Sequence, residues 1–133
     1  VTREVAQRLI TGDYTPLLQS REAFAAECYA LMQSRCYRPK AIVEYDRKAF
    51  IAKENKIRVT FDSRIVATES SFELFDERLN MAPVLDPGAV VMEVKYNGFL
   101  LDYIRRMINT VDQSELSVSK YMLARQNGYR YRL

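Results

Sequence analysis

Between Ala41 and Thr68 the side chains alternate in a way that only a pleated strand can use. Two stretches, AIVEYDRKAFIA and KIRVTFDSRIVAT, are rich in β-branched and aromatic residues and read as consecutive strands. Lys53-Glu54-Asn55-Lys56 between them is short and polar, and Asn55 can adopt the left-handed conformation of a tight turn. The expectation is an antiparallel hairpin. In its second strand Ile57, Val59 and Phe61 share one parity, and Arg58, Thr60 and Asp62 share the other. Tyr45 and Arg47 share a parity in the first. A later run, VVMEVKY, sets Val90, Met92 and Val94 against Glu93 and Lys95. One sheet can therefore gather Tyr45, Arg47, Arg58, Glu93 and Lys95 on a single charged face, with the apolar parity buried. A solvated outer face is the commoner outcome of this pattern.

Helical spacing frames the sheet. Thr2 is placed to cap a short helix that stacks Val5 and Leu9, and Gly12-Asp13-Tyr14-Thr15-Pro16 breaks it. Ser20 is the candidate cap of a second helix, whose stripe of Phe24, Cys28, Leu31 and Met32 is expected in the core. Phe72, Leu74 and Phe75 suggest a short strand. Asp86-Pro87-Gly88 suggests a tight turn, with Gly88 supplying a positive φ. Leu101, Ile104, Met107, Ile108 and Val111 mark an amphipathic helix, with Arg105 and Arg106 on its polar side. A last helix, SELSVSKYMLARQNG, starts among serines and stops at Gly128. Ser119 and Lys120 near that start could hold an anion, although a plain capping role for Ser119 is the commoner case. The tail, YRYRL, is basic and aromatic but too short to be diagnostic.

Composition narrows the chemistry more than the fold. The 133 residues are 48% hydrophobic and 28% charged, as in an ordinary single globular domain. A net charge of +3, with no RNP-like motif or long Lys/Arg block, does not indicate nucleic-acid binding. No apolar run approaches a membrane span, and no signal-peptide pattern opens the chain. Cys28 and Cys36 read as reduced packing residues of a cytoplasmic protein. Histidine is absent, which removes the usual general base; chemistry must rest on carboxylates, Lys, Arg, Tyr or a metal with oxygen ligands.

Arg47 and Arg58 on neighbouring strands, with Lys95 and Lys120 nearby, would form a self-repelling cation cluster that solvent screens or a polyanion neutralises. Arginine forks suit phosphate oxygens. Glu93 among them either ligates Mg²⁺ or Mn²⁺ bridging phosphates, or pairs with Lys95 or Arg58 in a plain cross-strand salt bridge.

The ordered motifs PKAIVEYDRKAF, IRVTFDSRIVA, LFD, VLDPG, VVMEVKYNGFLLDYIR and SVSKY resemble the VTC domain, the catalytic domain of polyphosphate polymerases in the triphosphate tunnel metalloenzyme (CYTH-like) superfamily. The resemblance runs from about Leu9 to Arg125. It implies an α+β fold in which the antiparallel sheet forms about half of a triphosphate-tunnel β-barrel of about eight strands, with flanking helices. The chain is then expected to be one domain over residues 1–133, the C-terminal portion of a bacterial-type VTC domain whose early strands precede Val1. Tyr45 and Arg47 match the family's Y-x-R, and Arg58 opens its R-V-[ST]-x-D. Glu93 matches its metal-binding Glu, Lys95 the Lys of E-V-K, and Ser119 and Lys120 its terminal Ser-Lys.

Three expectations follow from the resemblance. Arg47, Arg58 and Lys120 are catalytic, Tyr45, Lys95 and Ser119 join them in holding substrate, and Glu93 holds a divalent cation. The ligands are triphosphate, ATP or inorganic polyphosphate, with no nucleic acid. The activity is metal-dependent phosphoryl transfer in the full-length protein, with a tunnel triphosphatase or a non-catalytic polyphosphate- or nucleotide-binding module as alternatives. The fragment by itself is expected to be inactive and to self-associate as a homodimer, either edge to edge or face to face, because a partial barrel leaves open sheet edges and an uncovered inner face.

Overall fold

In a computed structural model, which describes residues 1–111 and 117–130, the chain forms two compact units. The first comprises Val1–Ile42 and Glu69–Asn80; the second comprises Val43–Thr68 and the chain from Met81 on.

In the first unit α1 (Arg3–Ile10) is capped by Thr2, whose hydroxyl accepts from the Val5 N–H at 3.3 Å, as its position before the first turn predicts. A 3-10 turn, Thr15–Gln19, follows the break and buries Leu17, while Tyr14 just before it is buried with its hydroxyl donating to the Tyr37 carbonyl. Helix α2 (Ala23–Ser34) begins after Glu22, not Ser20; the Ser20 hydroxyl instead accepts from the Glu22 N–H in a local turn. The Phe24–Met32 stripe is not core. No residue of α2 is buried and Phe24 is 72% exposed, because the helix packs along a five-residue turn too short to cover three helical turns. Phe72–Phe75 runs as irregular backbone into a turn in place of a strand. Cys28 and Cys36 are both free, and Cys36, expected to pack, is exposed in the left-handed turn that ends α2.

The second unit holds the sheet. Strand β1 (Ile42–Ile51) and β2 (Arg58–Thr68) form the expected hairpin, with Asn55 at φ +52° in the turn. The other edge of β2 is shared. Its first half pairs antiparallel with β4 (Val90–Lys95) and its last residues with the two-residue β3 (Ala82–Pro83). Strand β2 is thus the centre of a four-stranded antiparallel sheet in an α+β fold.

Asp86 and Ala89 close the turn before β4, but Gly88 has no positive φ. The Asp86 carboxylate accepts from the Gly88 N–H at 2.8 Å, and that bond fixes the corner. Helix α3 (Asp102–Ile108) is shorter than the apolar pattern to Val111 suggests. Helix α4 (Lys120–Arg130) runs through Gly128 without stopping. The expected helix start at Ser114–Leu116 and the end of the YRYRL tail lie outside the described residues.

Two features of β2 position the site. Buried positions step from Thr60 and Asp62 to Ile65 and Ala67, an odd interval. The extra residue is absorbed at Arg64, whose φ of +51° gives the local kink of a bulge. The expected burial of Ile57, Val59 and Phe61 holds only for Ile57, and Val90 is exposed. In the half of β2 before the bulge the covered positions are the polar ones, Thr60 and Asp62, because α4 lies against β2 there, burying Ala124 one turn beyond Lys120.

Candidate functional site: a cationic sheet face organised by Asp62

The antiparallel register sets Arg58 opposite Lys95 and Thr60 opposite Glu93, with Phe61 opposite Met92. Directly opposed residues share a face, so Arg58, Thr60, Asp62, Glu93 and Lys95 lie together. Arg47 reaches this face from β1, donating from Nε to Asp62 Oδ1 at 2.6 Å and from its second guanidinium arm to Oδ2 at 2.8 Å. Lys120 reaches it from the first turn of α4, with Nζ 2.6 Å from Asp62 Oδ2. The Tyr45 ring lies beneath both cations, 5.1 Å from the Arg47 guanidinium carbon and 4.9 Å from Lys120 Nζ. The charged face expected from alternation is present, and every charged member named from the sequence lies on it.

Its centre was not anticipated. Asp62 has no exposed side-chain surface, whereas Arg47 keeps 34% and Lys120 18% of theirs. A buried carboxylate is tolerated only with its oxygens satisfied, and here two cations satisfy them. The Arg47 hydrogen bond, and after it Lys120, hold the Asp62 carboxyl below the usual range, at about 2, against the opposing effect of burial. The same hydrogen bond raises the Arg47 guanidinium still further above its ordinary value. Both cations have donors to spare: a bidentate Arg uses two of five N–H groups and a singly bonded Lys one of three. The signal for Asp62 was in the sequence, as the last residue of RVTFD.

Glu93 forms an ion pair with Lys95 at 2.7 Å, the plain salt-bridge alternative, though within one strand. The Lys95 hydrogen bond lowers its carboxyl, with smaller contributions from Lys120 and Arg47. Arg58 is exposed, and no ion pair ties it to another described residue. Ser119 caps α4, its hydroxyl accepting from the Met122 N–H at 3.4 Å. Thr60 is buried with a hydroxyl that has no hydrogen-bond partner among the described residues.

For a divalent cation, the donor set is thin. No group of three or more His, Cys, Asp or Glu able to hold an ion occurs among the described residues. Asp62 is occupied by two cations, which leaves Glu93 as the one carboxylate on the face. That chemistry fits an ion carried in on phosphate oxygens with a single protein carboxylate, the usual manner of Mg²⁺, and not a resident ion in a protein cage.

These features define a cationic sheet face, with Arg47, Arg58 and Lys95 from three strands and Lys120 from a helix, Arg47 and Lys120 being held in place by one buried acid. The VTC domain family model matches residues 1–128. The chain belongs to that family, which is linked to polyphosphate and triphosphate handling. No curated protein and no solved structure matches the chain. Among the described residues, no helix is long and apolar enough to cross a membrane.

Proposed function

We propose that this face is one wall of a site for triphosphate, ATP or inorganic polyphosphate, and that in the full-length protein the site carries out metal-dependent phosphoryl transfer of the polyphosphate polymerase kind. The observation that carries the reading is the convergence of Arg47 and Lys120 on Asp62, on the face that also bears Arg58 and Lys95. Phosphoryl transfer asks little covalent work of a protein; it is mostly positioning and charge neutralisation.

In this reading Arg47, Arg58 and Lys120 hold the phosphate oxygens on either side of the bond that breaks. Lys95 extends the anion track beside Arg58, and Tyr45 keeps Arg47 and Lys120 stacked while its hydroxyl donates to substrate. Ser119, while capping α4, presents its own hydroxyl proton at the helix start. Glu93 holds the divalent cation, which when bound draws charge from the transferring phosphoryl group. Binding of phosphate draws Lys95 away from Glu93 and frees that carboxylate. The chain acts as part of one catalytic domain with the strands that complete the tunnel.

One observation favours a second reading, a polyphosphate-binding module without turnover: both carboxylates on the face are already paired with cations. Full-length protein incubated with ATP and Mn²⁺ separates the two. The phosphotransferase reading expects release of phosphate or growth of polyphosphate, abolished by Glu93→Gln while metal-free triphosphate binding persists. Tight triphosphate binding without turnover under any divalent ion would leave the binding module. Absence of triphosphate binding would sink both.

A further inference from the structure

The RVTFD strand buries an acid in the middle of a face proposed to attract anions. Judged by charge alone, Asp62 works against that function, since it cancels one of the cations around it. Its geometry suggests another purpose. Its two oxygens take three bonds, from Arg47 Nε, the Arg47 second arm and Lys120 Nζ, at 2.6–2.8 Å. The Tyr45 ring, 4.9–5.1 Å away, contacts the same two cations. Arg47 and Lys120 therefore each have two fixed neighbours, although one comes from a strand and the other from a helix distant in sequence. Lys120 gains most, because a lysine stem has four rotatable bonds and an exposed ammonium would otherwise sample many positions.

We propose that Asp62 is a positioning residue: it fixes the spacing between the Arg47 guanidinium and the Lys120 ammonium, so that their remaining donors match the oxygens of neighbouring phosphates in a chain. This rests on the phosphate reading of the face and adds to it the source of its shape selectivity. A loose cation cluster attracts any polyanion by net charge; a pre-formed pair distinguishes a phosphoanhydride chain from an anion of another shape.

The sign of one substitution tests it. Asp62→Asn removes a negative charge, so net attraction alone would strengthen binding of every anion. Positioning predicts the reverse for the matched ligand only. In the full-length protein, measured well below the melting temperature of each variant, triphosphate affinity should fall about tenfold, the effect of one lost charged hydrogen bond. Affinity for citrate, a polyanion of different shape, should hold or rise. Asp62→Glu provides a second variant: it keeps the charge but moves the carboxylate by one methylene, and should also lose preference for triphosphate. Asp46→Asn removes a charge from an exposed site, and should leave the preference intact.

Equal loss of both ligands in the Asp62 variants would show that Asp62 only maintains the fold and would overturn the proposal. Retained preference for triphosphate in Asp62→Glu would overturn it too. If the wild-type protein binds triphosphate but does not prefer it to citrate, there is no shape selectivity for Asp62 to supply and the proposal is overturned, whereas absence of triphosphate binding would overturn the phosphate reading beneath it as well.

Discussion

Two aspartate–arginine pairs bind the same two strands, and their fates differ. Asp46 and Arg47 are adjacent on β1 and point to opposite faces of the sheet. Arg47 meets Asp62, which is fully buried; Asp46 meets Arg64, and there the side chains are 54% and 76% exposed. The chemistry is the same, with a carboxylate, a guanidinium and a contact between strands. What differs is the medium. Water competes for both partners of the outer pair and screens their attraction, whereas Asp62 has no water to return to. The inner pair also recruits a third member, Lys120, and so ties α4 to the sheet. The outer pair recruits no third charged member among the described residues.

The largest effect should therefore come from Asp62. Stripping one partner from a buried pair costs ~3–5 kcal/mol, and the partial exposure of Arg47 brings Asp62→Ala to about 3. A urea denaturation midpoint that barely moves would mean that the buried network adds nothing to the fold. The pH dependence has a defined sign. The Asp62 carboxyl titrates at about 2 when folded and near 3.8 when unfolded. Its contribution is complete above the unfolded value and is lost as pH falls from about 4 toward 2. Replacing Asp62 with Asn should flatten that part of the stability–pH profile.

Arg58 offers the contrast within the site. It shares the face with Asp62 but is exposed, with no ion pair to another described residue, so it contributes little to the fold. Arg58→Ala should weaken triphosphate binding by about 1.5–3 kcal/mol, the scale of a charged hydrogen bond, and leave the melting temperature within a degree or so. A large drop in melting temperature with unchanged binding would reverse the assignment and make Arg58 a structural residue.

How far the sequence reveals this contrast depends on the level of structure. The hairpin is legible because Val59, Phe61, Ile65 and their neighbours suit a pleated strand, and because Asn55 suits the left-handed turn. The composition of each face is legible too, since parity is a property of the strand itself. Which face is covered is not. That depends on where α4 lands, a tertiary event, and Lys120 must cross to β2 to bury Thr60 and Asp62. Asp62, followed by Ser63, reads in one dimension as a solvated acid. The bulge is equally hidden, because Arg64 occupies a conformation usually signalled by Gly. The α2 stripe misleads for the opposite reason: its apolar spacing is genuine, but it lies against a partner too short to cover it.

Thr60 lies between these extremes. Its hydroxyl is buried without a partner among the described residues, a cost to the fold of roughly 1–3 kcal/mol. Thr60→Val keeps the shape and should stabilise the protein by about 1 kcal/mol, read as a higher urea midpoint. A destabilised variant would show that the hydroxyl has a partner, such as a water, that holds it in place.

The smallest effect belongs to the outer pair, and it decides whether the comparison is about burial. Asp46→Asn removes one charge from an ion pair with both members in solvent. An exposed pair contributes ~0.2–1 kcal/mol at most, and often nothing measurable. Arg64 also holds a left-handed backbone conformation, so any benefit from the pair is partly offset by the strain of that position. The expected change in stability is below about 0.5 kcal/mol, shrinking further as salt is raised to 1 M, where the Debye length falls to about 3 Å. Asp62→Ala should keep most of its cost in the same salt, because ions do not enter a site without exposed surface. If the two substitutions instead proved equally costly and equally sensitive to salt, burial would not be what separates these pairs, and Asp62 would have no claim to organise the face.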